Sequence, residues 1–329
     1  MSERKGPPNL TPVVVQGEQL PPESAPRSTD RSRGLPHCEL PSAHRGCLAA
    51  GPALLTILVV LNAGGALAAT LQKATAEAWD RYFHWVDDRV QRELSDPQKF
   101  LVEDSFPPGE RARVKQQLQA GQVAVRRMPS PAPKDEHFEV PGGEIHHWWG
   151  AVLVPGAKLP ELLHFLQDYD HHAGRFGDVE RSRLLSKDGD TFRIYLRLKR
   201  SRAFVDAVYN TEQECIYSAH GPGRESSRSI ASKIAEVENP GKPSERERPP
   251  GNDRGFLWRL ASWWRFQQTS DGVLVELESA SLSRDIPAVV KLIPGLAGYI
   301  RSTPRESLES VLGTIRDWAK SLQPIHAQS

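Results

Sequence analysis

The sequence predicts an α+β fold: an antiparallel, curved sheet wrapped around one long C-terminal helix, with a helical extension in front of it. Three observations carry this. TFRIYLRLKR, from Thr191 to Arg200, alternates cleanly: Phe192, Ile194, Leu196 and Leu198 take one face, Arg193, Tyr195, Arg197 and Lys199 the other. Asp188-Gly189 and Asp271-Gly272 are hairpin turns that tie neighbouring strands together. The chain then closes on an apolar stripe at helical spacing, Leu308, Val311, Leu312, Ile315, Trp318, Ala319 and Leu322. Strand, helices, antiparallel meander and long amphipathic helix, in that order, make an α+β protein.

The elements follow in chain order. Residues 1–45 are rich in Pro, Ser and Arg without apolar periodicity, which predicts a disordered tail. Gly46 to Gln72 contains no charged residue, and its centre LLTILVVL, Leu54 to Leu61, is strongly apolar. Arg31, Arg33 and Arg45 precede it, and Ala66-Leu67-Ala68 offers small residues at the −3 and −1 positions of a signal-peptidase site. Residues 46–69 therefore read as a signal peptide or an uncleaved signal anchor, with a buried soluble helix as the third reading. The long lead of 45 residues, if a real cytoplasmic tail, favours the anchor.

Residues 70–128 form the helical extension. Thr70 to Leu94 carries Leu71, Ala74, Ala78, Tyr82, Trp85, Val86, Val90 and Leu94 at helical spacing. Pro107-Pro108 opens a second helix that Gly121 ends, and Gln122 to Met128 reads as a short strand. Residues 129–138, which include PSPAPKDE, are a linker. From 139 to 323 the pattern is that of one folded domain, followed by a tail at 324–329. Ile145 to Val154 is a strand, Leu159 begins a helix, and strands follow from Val179, Thr191, Phe204, Arg224, Phe256 and Val273. Glu238 to Asp253 is a charged surface loop. Thr303 as N-cap, Pro304 at N1 and Glu306 at N3 place the start of the last helix at Pro304.

Composition limits the function. A formal net charge of +1 over 329 residues gives no global electrostatic case for nucleic acid. The cysteines, Cys38, Cys47 and Cys215, form no CxxC pair, which excludes a thiolate zinc knuckle. There is no GxSxG, HExxH, P-loop or GxGxxG. No catalytic residue, metal ligand or cofactor is assigned.

QDYDHHAGRFGDVERSRLLSKDGDTFRIYLRLK (Gln167 to Lys199), DGVLVELESASLSRDIP (Asp271 to Pro287) and TPRESLESVLGTIRDWAK (Thr303 to Lys320) resemble the START-like, or SRPBCC, superfamily. The resemblance runs from Glu139 to Leu322 and is to the polyketide cyclase/dehydrase and coenzyme Q-binding branch, including exported bacterial members. It implies a helix-grip fold with an apolar cavity between sheet and last helix. The function it implies is binding or carriage of a hydrophobic small molecule: a lipid, a quinone or a polyketide-like compound. The alternatives are a cyclase or dehydratase acting on such a ligand, and a membrane-associated interaction protein. The expected cavity residues are Trp149, Phe192, Ile194, Leu196, Tyr209, Trp258, Leu260, Trp264, Phe266, Leu312 and Ile315. Tyr195, Tyr209, Ser262, Arg284 and Asp285 are the polar groups available to orient a ligand.

Two further groups need weighing. His146 and His147 stand on opposite strand faces, and His171 and His172 lack the i,i+4 spacing that zinc sites often use. Hydrogen-bonded or solvated histidines at element ends are the plain reading; one histidine of each cluster with Asp168 or Asp170 around a metal, or a pH gate, are the sharper ones. Arg193, Arg197, Lys199, Arg200 and Arg202 read as a solvated outer sheet, or else as a surface for anionic lipid. Glu276 and Glu278 fall opposite Val273, Val275 and Leu277 and are expected in solvent.

Overall fold

The computed structural model describes residues 69–131, 138–202, 205–286 and 296–322. The expected tails and residues 46–68 of the export or anchor segment lie outside the described residues. Among those described, no helix is long and apolar enough to cross a membrane.

The chain starts with β1 (Ala69–Thr70), α1 (Lys73–Leu94), a 3-10 turn (Val102–Ser105), α2 (Pro108–Gln119) and β2 (Ala124–Arg127). Pro108 occupies the first turn of α2, and Gly121, at φ +70°, closes it. β3 (Gly143–Pro155), α3 (Leu159–Gln167), a second 3-10 turn (Tyr169–His171), β4 (Val179–Asp188), β5 (Thr191–Arg202), β6 (Val205–Ala219) and β7 (Arg224–Glu238) follow. The charged loop holds two short strands, β8 (Arg246–Glu247) and β9 (Asn252–Asp253). β10 (Arg259–Gln268), β11 (Gly272–Arg284) and α4 (Leu296–Leu322) complete the chain.

The main sheet is antiparallel in the order β2-β3-β11-β10-β7-β6-β5-β4. The extension therefore supplies an edge strand of the domain's own sheet, with Ala124 opposite Ala151 and Arg127 opposite Trp148. β1 pairs with β9, fastening the start of the extension to the charged loop. α4 begins at Leu296, eight residues before Pro304, and carries that proline inside it. The capping signature thus marks an interruption, not a start: a proline removes a single helix hydrogen bond, and Ser302 and Glu306 bond across it at 2.9 Å.

Cross-strand register fixes two faces. The inner face, toward α4, takes Val152 and Val154 of β3, Val273, Val275 and Leu277 of β11, Phe266 of β10, and Phe192 and Ile194 of β5. Leu308, Leu312, Ile315 and Ala319 of α4 and Leu162 and Leu166 of α3 pack on it. Gly150 is what lets α4 close down: a Cβ there would stand 2.3 Å from Leu308 Cδ2 and 2.7 Å from Leu312 Cδ1. The outer face takes Trp149, Ala151, Ala261, Trp263, Ala280 and Leu282, and it is covered too. Trp79, Tyr82, Val86 and Val90 of α1 form one cluster on it; Phe100, Leu101, Val114 and Leu118 form another. Each such side chain contributes about 1.5–3 kcal/mol on burial.

Candidate functional site

The outer face is a closed ionic and aromatic layer. Glu276 and Glu278, each 1% exposed, point away from α4 as the alternation requires, yet they are buried and not solvated. The sheet's second face is roofed by the extension, which the strand pattern by itself does not reveal. Glu278 Oε1 meets His147 Nε2 at 2.8 Å and also binds Arg89 of α1. His147 Nδ1 bonds Tyr82 Oη at 2.8 Å. Arg265 donates to Glu93 at 2.5 Å and to the Phe100 carbonyl at 3.1 Å, and Arg89 pairs with Glu93 at 3.1 Å. Burial would push the Glu278 carboxyl up, but the hydrogen bond from His147 and the charges of His147, Arg89 and Arg265 hold it down at about 2. Glu276 accepts from the Val102 and Glu103 amides at 2.6 and 3.1 Å. There burial wins over Arg265 and the two amides, and its carboxyl is pushed up to about 8. Every one of these groups meets protein, so the layer locks the extension in place.

The inner face is different, and its composition changes along α4. Reading across the strands, one row is Gly150, Leu277, Trp264, Ser227 and Tyr217. The next is Trp148, Ser279, Ser262, Ser229, Cys215 and Phe192. At the far end Ala207, Tyr209 and Ile234 make a separate apolar cluster with Leu260, Phe256 and Leu257 against it. Between the packed end under α4 and that cluster, Trp148, Trp264, Leu196, Leu198, Leu260, Ser262 and Ser279 stay only half-buried. The polar side chains beside them are chained together: Cys215 Sγ to Ser229 Oγ at 3.2 Å, Ser229 to Gln213 Oε1 at 3.0 Å, Gln213 Nε2 to Thr211 Oγ1 at 3.2 Å, and Thr211 to the Leu196 carbonyl at 3.1 Å. Tyr169 and Tyr217 share a hydrogen bond of 2.9 Å, and burial pushes both phenols and the Cys215 thiol upward.

The expected site residues divide between the faces. Phe192, Ile194, Leu196, Trp264, Phe266, Leu312 and Ile315 gather on the inner side, with Tyr209 and Leu260 in its far cluster. Trp149 and Trp258 do not join them. Trp149 shares strand parity with His147 and packs edge-on against Phe106 under the extension, with ring centroids 5.0 Å apart. Trp258 lies just before β10, where its indole donates to Asp253 at 3.0 Å and its ring packs with the α1 cluster. Tyr195 also faces outward, bonded to Asn210 at 2.8 Å. Trp148, Ser279 and Ser229 are inner-face residues that sequence reasoning missed. Their signal was present as the i+2 neighbours of Gly150 and Leu277 and as the cross-strand partner of Ser262.

The histidines separate in the same way. His146 is on the inner face, with Nε2 3.0 Å from Ser283 Oγ, and burial lowers its pKa. His171 is exposed and bonds Asp168 at 2.6 Å. His172 is buried, bonds the Leu166 carbonyl at 3.0 Å, and burial drops its pKa to about 4. No group of three metal-ligating side chains occurs among the described residues. The basic stripe is neutralised on the spot: Arg197, 3% exposed, meets Glu180 at 2.6 Å and Glu245 at 2.8 Å, and Arg200 meets Asp178 at 2.6 Å. At the rim, a polar cleft of about 520 Å³ opens beside Asp178, Lys199, Arg200 and Glu306. A second, of about 490 Å³, lies beside Phe165, Arg175 and Trp318.

No protein-family model and no curated protein matches the chain. Among solved structures it is similar to the STAR-related lipid transfer protein of Xanthomonas axonopodis, at 18% identity and TM-score 0.40 over 60% of this chain and 98% of that one. It is also similar to the Zhui aromatase/cyclase of Streptomyces sp. R1128, at 13% identity and TM-score 0.36 over 56% and 100%. A START superfamily protein from Mycobacterium smegmatis aligns at 9% identity and TM-score 0.33 over 55% and 97%.

Proposed function

We propose that the inner face binds or carries, without catalysing a reaction, a hydrophobic small molecule of the lipid, quinone or polyketide-like kind. One observation supports this above the rest. Trp148, Trp264, Leu196 and Leu260 occupy inner-face positions that a packed core would bury, yet all four remain half-buried. Apolar side chains left accessible on the face that a helix covers suit the lining of a ligand site, which supports this reading. Covering about 200 Å² of apolar ligand surface contributes roughly 5 kcal/mol at about 25 cal/mol per Å² before binding costs, so no special chemistry is needed. The uncharged run from Gly46 to Gln72 supports the second part of the proposal, that the protein is exported or held at a membrane.

Native mass spectrometry with solvent extraction tests the ligand. The purified protein should carry an apolar molecule that is lost in Trp264→Gln while the far-ultraviolet circular dichroism is kept. A clean apo mass, with no binding across a panel of lipids and quinones, would overturn the proposal.

A further inference from the structure

β1 is paired with a strand that carries an unbalanced buried acid. Glu236 and Asp253 are 1% and 0% exposed. Glu236 has a cation in contact: Arg254 donates to it from its backbone amide at 2.8 Å and from its guanidinium. Among the described residues Asp253 has none. Its Oδ1 accepts from the Gly255 amide at 2.6 Å and from the Trp258 indole at 3.0 Å, while Oδ2, also buried, has no hydrogen-bond partner among the described residues. Arg248, whose charge acts on Asp253 from further off, is engaged by Glu238 at 3.0 Å. Burial pushes the Asp253 carboxyl up, and the Glu236 charge adds to it. A buried carboxylate with one oxygen unmet lacks a cation in contact.

β1 brings a nitrogen to this place. The Leu71 amide donates to the Gly251 carbonyl at 2.7 Å, and Ala69 stands opposite Asp253 two residues along the same ladder. In an antiparallel pair the hydrogen-bonded positions recur at every second residue, and residues opposite one another share a face. The Ala69 nitrogen therefore lies against the Asp253 backbone, and the Asp253 carboxyl is on the face that the Ala69 side chain takes. Ala69 packs with the α1 cluster that also holds Trp258.

As a peptide amide this nitrogen is neutral. Ala66-Leu67-Ala68, with its small residues at −3 and −1, stands immediately before it. Hydrolysis there takes up one water: the Ala68–Ala69 amide breaks, Ala68 keeps the new carboxylate, and the Ala69 nitrogen gains protons and becomes an α-ammonium. With an ordinary α-amino pKa of about 7.7–8.0 it is largely charged at neutral pH. It can keep its bond to β9 and has protons left for a carboxylate.

We infer that a signal peptidase cuts the chain between Ala68 and Ala69, and that the buried Asp253 carboxylate holds the new α-ammonium of Ala69 as its counter-ion. The inference rests on the export reading in the proposed function and decides there for a cleaved signal over a retained anchor.

The test expresses the full-length protein in an exporting bacterial host and measures intact masses in the cytosolic, membrane and exported fractions. The exported fraction should hold a chain that begins at Ala69. A full-length chain kept in the membrane overturns the inference and leaves the membrane reading standing; a full-length chain in the cytosol overturns both. Cleavage at another bond overturns the inference and leaves export standing. The counter-ion is then tested on the cleaved product, labelled with 13C-alanine, by titrating the Ala69 amine in nuclear magnetic resonance spectra. Its pKa should lie about one unit or more above the usual value, as a charge-assisted hydrogen bond gives, whereas burial alone would lower it. In Asp253→Asn, which keeps an acceptor for the Gly255 amide and the Trp258 indole, the rise should vanish. If that variant does not fold, the parent titration decides alone: a pKa at or below the usual value overturns the counter-ion, as does a rise that survives in a folded Asp253→Asn.

Discussion

Replacing Glu278 with alanine should unlock the extension from the sheet. The carboxylate is 1% exposed and holds two groups at once, His147 Nε2 at 2.8 Å and the Arg89 guanidinium, whose side chain is 18% exposed. Its loss strands a histidine that also binds Tyr82, and leaves Arg89 with Glu93 as its one carboxylate among these contacts. Breaking a buried pair from one side costs about 3–5 kcal/mol, because the remaining charge keeps its desolvation penalty. For a chain of this size that is a drop of roughly 10 °C in melting temperature. Urea unfolding of Glu278→Ala against the parent protein measures it. The triple variant Glu278→Leu/His147→Leu/Arg89→Met, which removes every stranded charge of the pair, should recover most of the loss. A cost below about 1 kcal/mol for Glu278→Ala would refute the reasoning, since the contact would then contribute no more than a surface ion pair.

Glu276 should impose a pH slope. Its carboxyl is raised to about 8 in the folded state, so the native protein keeps a proton that the unfolded chain releases near 4.5. Stability therefore falls as pH rises between those values, by up to about 1.4 kcal/mol per unit from this group, and Glu276→Gln should flatten the slope in denaturant titrations. Glu278 has the opposite sign: held at about 2, it contributes stability above pH 4.5 that is lost as pH falls toward 2. Gly150→Val should cost about 1–3 kcal/mol by overpacking, because the new Cβ overlaps Leu308 and Leu312; an unchanged melting curve would show that α4 does not seat there. Deleting residues through Leu94 should expose Trp263, Ala280 and Leu282. The product should bind a hydrophobic dye and aggregate, and a soluble monomer with the parent's melting temperature would sink the claim that α1 is part of the core.

Much of this fold was legible because antiparallel strands with a two-residue period announce themselves. The alternation from Thr191 and the Asp-Gly turns each led to an element within a few residues of the observed one, and the terminal stripe led to the last helix, though its start lies eight residues earlier than the capping signature placed it. What alternation does not say is whether the polar face meets water. Glu276 and Glu278 alternate with Val275 and Leu277 just as solvated glutamates would, and only the roof over them makes them buried. A second signal was available. On β3 the face opposite Val152 carries Trp149, Ala151 and Leu153, and on β11 the glutamates' own face continues as Ala280 and Leu282. Two apolar faces on the same pair of strands require two covering layers, and α1, with Trp79, Tyr82, Val86 and Val90 on one stripe, was the unassigned cover. Trp149 and Trp258 were misplaced for the same reason: a large aromatic was credited to the one covered face the sequence had disclosed. Arg197 shows the limit in charge patterning, since its partners Glu180 and Glu245 come from a neighbouring strand and from the charged loop, 17 and 48 residues away.

The contrast between the two faces bears on where a function can reside. On the outer face Glu278 is paired with His147 and Arg89, and Arg265 with Glu93, under α1 and the segment after it, so a ligand there would have to displace a folded helix and strand several buried ions. On the inner face the apolar packing under Leu308, Leu312 and Ile315 gives way to a stretch where tryptophans, leucines and serines are incompletely covered. On the proposed function, a ligand arriving there gains apolar contact with these half-buried side chains without breaking a buried ion pair. The cost of opening the outer layer, several kcal/mol per stranded ion, exceeds the gain from about 200 Å² of apolar contact once binding entropy is counted. The extension is therefore a structural wall and not a lid, and on the proposed function recognition belongs to the inner face, which the extension borders through Val123 and Val125.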